Sequence, residues 1–589
     1  MCGIVGYIGK TYSLAELERF IRLGCQTLAH RGPDDQHWKV GPDSALGATR
    51  LAIRDGAGGK QPMHRNGVTL VFNGELYGCA SLRKKLKSRG YFFETTSDTE
   101  VLLCAFLEEG PAIFGRLSGM FACALWDKKE QKLYLARDRW GEKPLYYTLG
   151  KDFIAFASEI KGLRAWPSVD WEVEAEDIPV FLKNSYLPSP KTGWKNIFKL
   201  EPGSFLVWEG GQAARRKYFE LSVVTEHKSA AELFHLLGRS VKNCLESDRP
   251  IGAFLSGGLD STTVAYFLSQ YRPRAPVFSL HWEERDYSEE EYTRTAASAF
   301  GLQHVTVKCD AAFFMDHFEA IVGLYDEPFA DESMVPTFCL AKLAKAHVDV
   351  VLTGDGADEF FHGYDRYFFS GTAKEFREVF AAMPSPLLQQ ICPDLLQSEP
   401  ESLLNGEKRT RSLFDIQSYL PDDILMKVDR ACMGVGLEAR APFLTPEVTD
   451  FALQCPIEQL EGSSKRGKEI LRQAMQGHLP DLILKRKKMG FGVPLNAWLR
   501  SSMRDWMCSR MLKGSLQKTG WFSQKGLEKL ILDHLEGRGN YARPLLNLLV
   551  LEVWLASASG RGCCPLKRSD DAQSCLSPSS TIGCLKAHQ

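Results

Sequence analysis

Cys2 directly follows the initiator methionine, and a small second residue normally permits removal of that methionine, leaving the thiol on the terminal residue. A thiol is nucleophilic mainly as thiolate, and an adjacent α-amine, with a reference pKa of about 7.7–8.0, can accept its proton at neutral pH. One residue then supplies nucleophile and base. Three later segments, Arg50-Leu51-Ala52-Ile53, Asn73-Gly74-Glu75-Leu76-Tyr77 and Ser97-Asp98, describe with it a pocket for glutamine. A planar bidentate donor at Arg50 suits an α-carboxylate, and Glu75 and Asp98 suit an α-ammonium. The Asn73 side-chain amide and the Gly74 N–H suit an oxyanion. Each residue alone has a plainer reading: Cys2 as a small residue opening a strand, Arg50 as a surface ion-pair partner, Asn73-Gly74 as a turn dipeptide, Asp98 as the complement of a helix dipole.

A second set of residues reads as phosphate chemistry. Ser256-Gly257-Gly258-Leu259-Asp260-Ser261-Thr262 follows an apolar strand and enters a helix, where small residues let backbone N–H groups close on an anion. Thr353-Gly354-Asp355-Gly356-Ala357-Asp358-Glu359 lies at another strand end; its three carboxylates, with Asp260, can bind magnesium while ATP phosphates complete the shell. The plainer reading is an acidic loop capping the next helix. Gly462-Ser463-Ser464-Lys465-Arg466-Gly467-Lys468 has Walker spacing, but Glu469 replaces the Ser/Thr needed for magnesium and no strand precedes it. It reads as a solvated basic turn.

The elements that position these residues change character along the chain. Residues 1 to about 215 alternate short apolar runs such as Val68–Phe72 with Gly and Asp turns, a sheet-dominated α+β pattern. Ser97 and Glu100 have capping-box spacing ahead of a helix. From about 228, helix follows strand in regular order: strands at 251–255, 276–282, 304–309 and 348–353, helices at 260–270 and from Ser288 to Gly301. This predicts a doubly wound parallel sheet, which binds ligands outside the carboxyl ends of its strands. The expected units are 2–215 and 228–555, with a disordered tail over 558–589.

At 589 residues the chain exceeds one core, and a net charge of −1 gives no basic excess for nucleic acid or anionic membrane. No apolar run approaches the ~20 residues of a membrane span and no leader precedes the first strand, so a cytoplasmic enzyme is expected. The 16 cysteines form no CxxC pair and are expected as reduced core thiols without zinc.

The motifs MCGIVGY, His30-Arg31-Gly32-Pro33-Asp34, RLAI, NGELY, SDTE and Ala136–Tyr147 closely resemble the class II glutamine amidotransferases. That resemblance implies a four-layer αββα N-terminal nucleophile fold, with Cys2 attacking the glutamine amide, Arg50, Glu75 and Asp98 holding the substrate, and Asn73 with Gly74 stabilising the oxyanion. The S-G-G-x-D-S loop resembles the pyrophosphate loop of ATP pyrophosphatases. Lys427–Ala431, Gly436–Leu444 and the cationic run Lys485–Gly492, otherwise a solvated face, resemble the synthetase domain of glutamine-dependent asparagine synthetases. The implied ATP site comprises Ser256, Gly257, Gly258, Asp260, Ser261, Leu280, Thr353 and Gly354, with Asp260 and Asp358 on Mg2+, Asp355 linked to aspartyl-adenylate formation and Lys488 stabilising charge. Members of the family are often homodimers. Departures from its pattern are Asp355 for Glu, Thr353 for Ser, Thr445 for Asp, and Glu332 where one branch carries a cation. The last leaves open an acceptor carboxylate other than aspartate. A sugar-phosphate aminotransferase lacks a reason for SGGLDST, and intact Cys2, Asp260, Asp355 and Lys488 weigh against a non-catalytic ligand sensor.

Overall fold

The computed structural model describes residues 2–56, 58–395, 408–463, 465–490 and 492–558; from residue 559 on, the expected disordered tail lies outside them. The first half is built from two six-stranded sheets. Across one, the strands run Ile197–Lys199, Tyr146–Leu149, Phe153–Ala157, Cys2–Gly9, Ser44–Arg50 and Asp35–Gly41. Across the other they run Gln212–Lys217, Ser204–Glu209, Lys132–Arg137, Gly119–Asp127, Val68–Leu76 and Met63–Arg65. Ile4, Ile8, Leu46, Val71, Ala122 and Phe156 fill the space between the sheets. The helix Leu14–Thr27, opened by a Ser13–Glu16 capping box, covers the outer face of the first sheet with Leu17, Phe20 and Ile21. Cys79–Ser88 and Asp98–Glu109 cover the second through Leu86, Leu102 and Phe106. Three apolar interfaces thus define four layers, αββα, as the resemblance implied.

The second half holds a five-stranded, wholly parallel sheet in the order Gln303–Lys308, Pro276–His281, Ile251–Phe254, Val350–Leu352, Glu438–Arg440. The connection leaving Ile251–Phe254 goes to one side and Val350–Leu352 pairs on the other, so a switch point opens between their carboxyl ends. Ser256–Ser261 and Thr353–Asp358 leave those two ends together. Gly257 turns there at φ +65°, and a Cβ on it would lie 2.5 Å from Tyr292 Cβ, so a side chain is excluded.

The halves share buried contacts. Arg31 donates to Asp429 at 2.7 and 3.0 Å, Tyr146 Oη to Glu327 at 2.6 Å, and Trp140 Nε1 to the Leu444 carbonyl at 3.1 Å. The helix Ala542–Ala558 returns to the first half through Asn547, which donates to the Leu182 carbonyl at 2.8 Å. Every described cysteine is a free thiol.

Local expectations differ from the structure in three places. The turn expected in Asn73–Tyr77 comes only at its end: the strand runs through Leu76, because Asn73↔Ala122 through Leu76↔Gly119 remain paired, and the turn follows at Tyr77 and Gly78. The Ser97 hydroxyl caps Thr99, but Glu100 reaches back to the backbone N–H groups of Glu94 and Thr95, so no capping box closes on Ser97. The helix expected from Ser288 begins at Glu290, whose N–H donates to Ser288 Oγ at 3.5 Å, and Glu291 closes no capping box.

Candidate active sites

The first site sits where Cys2–Gly9, Val68–Leu76 and the N-terminus of Asp98–Glu109 converge. The pocket is lined by Cys2, Arg50, Gln61, Gly74, Glu75 and Asp98, among others, and holds about 30 Å³. Cys2 N donates to Asn73 Oδ1 at 3.0 Å, so the nitrogen that becomes the α-amine after methionine removal is already fixed. Asn73 Nδ2 is fully buried and makes no hydrogen bond. Burial raises the Cys2 thiol above its ordinary range, with the Arg50 charge opposing.

Strand parity orients the second donor. Phe72 N donates to Gln61 Oε1 at 2.6 Å and Leu76 N to Asp98 Oδ2 at 3.0 Å, both away from the ladder with Gly119–Asp127. Gly74 lies between them in the same alternation, so its N–H faces the pocket too. Only glycine fits: a Cβ would lie 2.2 Å from the Met120 carbonyl oxygen. Asn73 and Glu75, two apart, share one face.

Not every assigned residue is free for a ligand. Arg50 lines the pocket but donates to the carbonyls of Arg54 and Gly56 at 2.9 Å and of Asp55 at 2.7 Å. Glu75 takes a 2.6 Å contact from Arg54 and lies 3.4 Å from Arg440. Burial and the nearby Asp98 nonetheless push its carboxyl up to about 8, against those two cations. The sequence motifs mark neither Gln61, whose Nε2 is 3.9 Å from Cys2 Sγ, nor Arg54. Gln61 stands outside every motif; Arg54, one residue past RLAI, was within reach.

The second site is a cavity of about 350 Å³ at the switch point. Ser256, Asp260, Ser261 and Leu280 line one wall, Thr353, Gly354, Asp355 and Asp358 the next, and Asp331, Glu332, Lys427 and Lys488 the remainder. Ser256 and Ser261 hydroxyls lie 3.0 Å apart, and Gly258 N donates to Ser256 Oγ at 3.3 Å ahead of the helix Leu259–Tyr271. Gly257 belongs to the same turn.

The Walker-like segment requires a correction. Lys468 is not solvated: at 4% exposure its Nζ lies 2.5 Å from Asp260 Oδ2 and 2.6 Å from Asp358 Oδ1. Lys488 Nζ lies 2.5 Å from Asp358 Oδ2, so the second cationic run is not simply a solvated face either. Burial would raise Asp358, but the two lysines hold it well below the usual carboxylate range. Lys488 is displaced the opposite way, to about 12, as Asp358 and Asp260 outweigh burial. Burial raises Asp355, with Thr353 and Lys427 opposing.

The expected four-carboxylate cluster is smaller than the sequence implied. Glu359 is turned to Tyr364 Oη at 2.8 Å, and no three ligating groups converge among the described residues. Asp260 Oδ1 is buried without a hydrogen bond.

The asparagine synthase family profile matches residues 232–556, and the profile of a glutamine amidotransferase domain matches 1–219. The chain belongs to the asparagine synthase family. Similar relatives include asparagine synthetase [glutamine-hydrolyzing] 1 of Bacillus subtilis, 32% identical over 94% of this chain and 96% of its own. Asparagine synthetase [glutamine-hydrolyzing] 3 of the same organism is 30% identical, covering 91% and 97%. Asparagine synthetase B of Escherichia coli is 28% identical, covering 83% and 82%. In this asparagine synthase family chain both matched segments carry one of the two pockets.

Proposed function

We propose that the protein is a glutamine-hydrolysing asparagine synthetase, in which the unit 2–215 releases ammonia and the unit 228–555 joins it to aspartate. Cys2 Sγ attacks the glutamine amide carbon, and the free α-amine, held by Asn73, takes the thiol proton and passes it to the leaving ammonia. Asn73 Nδ2 and Gly74 N–H receive the oxyanion, and water then releases glutamate from the thioester. Asp98 binds the α-ammonium beside the Glu75 carboxyl, and Arg50 faces the α-carboxylate. Glutamine needs more room than about 30 Å³, so the Arg54–Gly56 carbonyls that occupy Arg50 give way on binding.

Ammonia leaves through the apolar seam in which Leu51, Ile53 and Met120 pack with Ala253, Leu255 and Ala441, which keeps it unprotonated. In the cavity the acceptor carboxylate attacks the α-phosphorus of ATP, pyrophosphate leaves, and ammonia displaces AMP from the β-aspartyl-adenylate. The loop Ser256–Ser261 cradles the phosphates, Leu280 lies by the adenine, and Thr353 and Gly354 flank the nucleotide. Asp355 assists adenylate formation, while Lys488 and Lys468 neutralise charge on the departing pyrophosphate.

The donor set also fits magnesium. Asp260 Oδ1 is buried with an open acceptor, and Asp358 stands opposite across Lys468. Two carboxylates with phosphate oxygens make the oxygen-rich site that ion prefers, and bound there it would neutralise triphosphate charge. No described helix is long and apolar enough to cross a membrane, and the substrates are those of cytoplasmic amino-acid synthesis. We read the enzyme as cytoplasmic and homodimeric.

The observation that carries this reading is the presence, in one chain, of a fixed terminal thiol with an unused buried amide donor and of a lysine-bridged carboxylate pair at a phosphate loop. Incubation with amide-15N glutamine, aspartate and Mg-ATP tests it: asparagine one mass unit heavier should form with AMP and pyrophosphate. ADP as product, or unlabelled asparagine, would refute the proposal.

A further inference from the structure

The last strand of the parallel sheet brings two charged side chains up behind Glu75, a residue that lines the glutamine pocket. Glu438 and Arg440 are both fully buried, at 0% exposure. Arg440 Nε donates to Glu438 Oε1 at 2.7 Å, and its Nη1 donates to the carbonyls of Cys244 and Glu246 at 2.8 Å. Its Nη2 lies 3.4 Å from Glu75 Oε2. Glu75 Oε1 in turn is 2.6 Å from Arg54 Nη1, which also reaches Glu246 at 3.1 Å.

The contacts form an alternating chain of charge, Arg54, Glu75, Arg440, Glu438, with two members from each half of the molecule. The chain does not stop at Arg54. The carbonyls of Arg54, Asp55 and Gly56 are the acceptors that hold the Arg50 guanidinium. At the other end, Thr353 N donates to the Arg440 carbonyl at 2.9 Å, beside the Leu352↔Arg440 pairing. A fully buried carboxyl keeps one position only while its donors remain, since a buried polar group left without partners is costly in either protonation state. Deprived of Arg440, Glu75 would retain only Arg54, a residue of a loop.

We propose that Arg440, supplied by the synthetase half, is a positioning residue of the glutamine site, setting Glu75 and through it Arg54 and Arg50, so that the first pocket is complete only when the last strand of the second half's sheet is in place. The inference rests on reading that pocket as the glutamine site.

The test compares Arg440→Met, Arg440→Lys and Glu438→Gln with wild type in the full chain, scoring glutaminase KM and kcat and ammonia-dependent pyrophosphate release with aspartate. For Arg440→Met the KM for glutamine should rise about tenfold or more, the size of one lost charge-assisted contact. Its kcat should stay within about threefold and ammonia-dependent release within about twofold, and Arg440→Lys, which keeps the charge but not the planar fork, should recover part of the loss. An unchanged KM, or an equal fall of both activities, would overturn the proposal, the second by assigning Arg440 to folding alone. Should Arg440→Met not fold, Glu438→Gln keeps the shape and should raise the KM about threefold; no change there also overturns it. A wild-type enzyme without glutaminase activity would instead refute the reading of the pocket.

Discussion

The two pockets hold the same charge pattern, a carboxylate between two cations, in opposite settings. In the glutamine pocket Glu75 lies between Arg54 and Arg440 in a space of about 30 Å³. In the nucleotide cavity Asp358 lies between Lys468 and Lys488 beside about 350 Å³ of open volume. The first is structural electrostatics: Arg440 is held by the backbone carbonyls of Cys244 and Glu246, so the Glu75 side of the pocket is fixed while the Arg50 side gives way to the ligand. The second is exchangeable electrostatics: two flexible ammonium groups that a triphosphate can draw away from Asp260 and Asp358. A pocket that recognises a small neutral amide needs fixed donors, whereas one that handles a polyanion needs cations able to follow departing charge.

The strongest way to break this comparison is to remove the nucleophile. Cys2→Ala should lower glutamine-dependent synthesis by about 10⁴-fold or more while sparing synthesis from free ammonia, measured as asparagine formed with each nitrogen source. Loss of both would mean that the pockets are not separable. Next in size is Lys468→Met, which should cut ammonia-dependent pyrophosphate release by about 10²-fold and leave glutaminase turnover within about twofold. Lys468→Arg should recover part of that loss; an unaffected release rate would return Lys468 to a structural role.

Lys468 also shows where sequence reading stops. Motifs that cluster along the chain were legible: the Cys2 strand, the Ser256–Ser261 loop and the Thr353–Asp358 loop all stand at strand ends, and hydrophobic periodicity predicted a sheet-dominated first half and a parallel sheet in the second. A partner 208 residues away was not, because nothing local in Gly462–Lys468 distinguishes a buried cation from a solvated one. The same holds for Arg440 and Gln61, whose roles arise from tertiary contact with Glu75 and Phe72. Asn73-Gly74 misled in the other direction: its composition favours a turn, yet pairing with Ala122 and Phe121 keeps it extended.

A smaller effect separates the acceptor end of the cavity from its nucleotide end. Asp331 is saturated by the Ser333 N–H at 2.7 Å and Lys427 at 3.3 Å, whereas Glu332 beside it makes no hydrogen bond or ion pair among the described residues. A free carboxylate on that wall suits the ammonium group of an amino-acid acceptor. Glu332→Gln should therefore raise the KM for aspartate about tenfold in the ammonia-dependent reaction with the KM for ATP unchanged. Equal shifts in both would place Glu332 with the nucleotide.

The finest test follows from the opposite titration of the two carboxylates. Burial and Asp98 raise Glu75 to about 8, above the unfolded value of ~4.3, so the folded chain binds the extra proton between those values. Its contribution to stability is present below ~4.3 and is lost as pH rises through about 8. Asp358 is held below the unfolded ~3.9 by its lysines, so its contribution is present above that value and is lost as pH falls through the folded one. Melting curves between pH 5 and 9 exclude Asp358, which stays ionised throughout, and because Glu359, raised by burial to about 7, titrates in the same window, the Glu75→Gln comparison is what assigns the slope. Wild type should lose a few degrees of Tm over that range, given about 2–4 °C per kcal/mol for domains of ordinary size, and Glu75→Gln should flatten the slope. Asp358→Asn should leave it intact. A slope unchanged by Glu75→Gln would show that Arg54 and Arg440 keep Glu75 ionised, making its electrostatics the same as those of Asp358 and removing the contrast between the pockets.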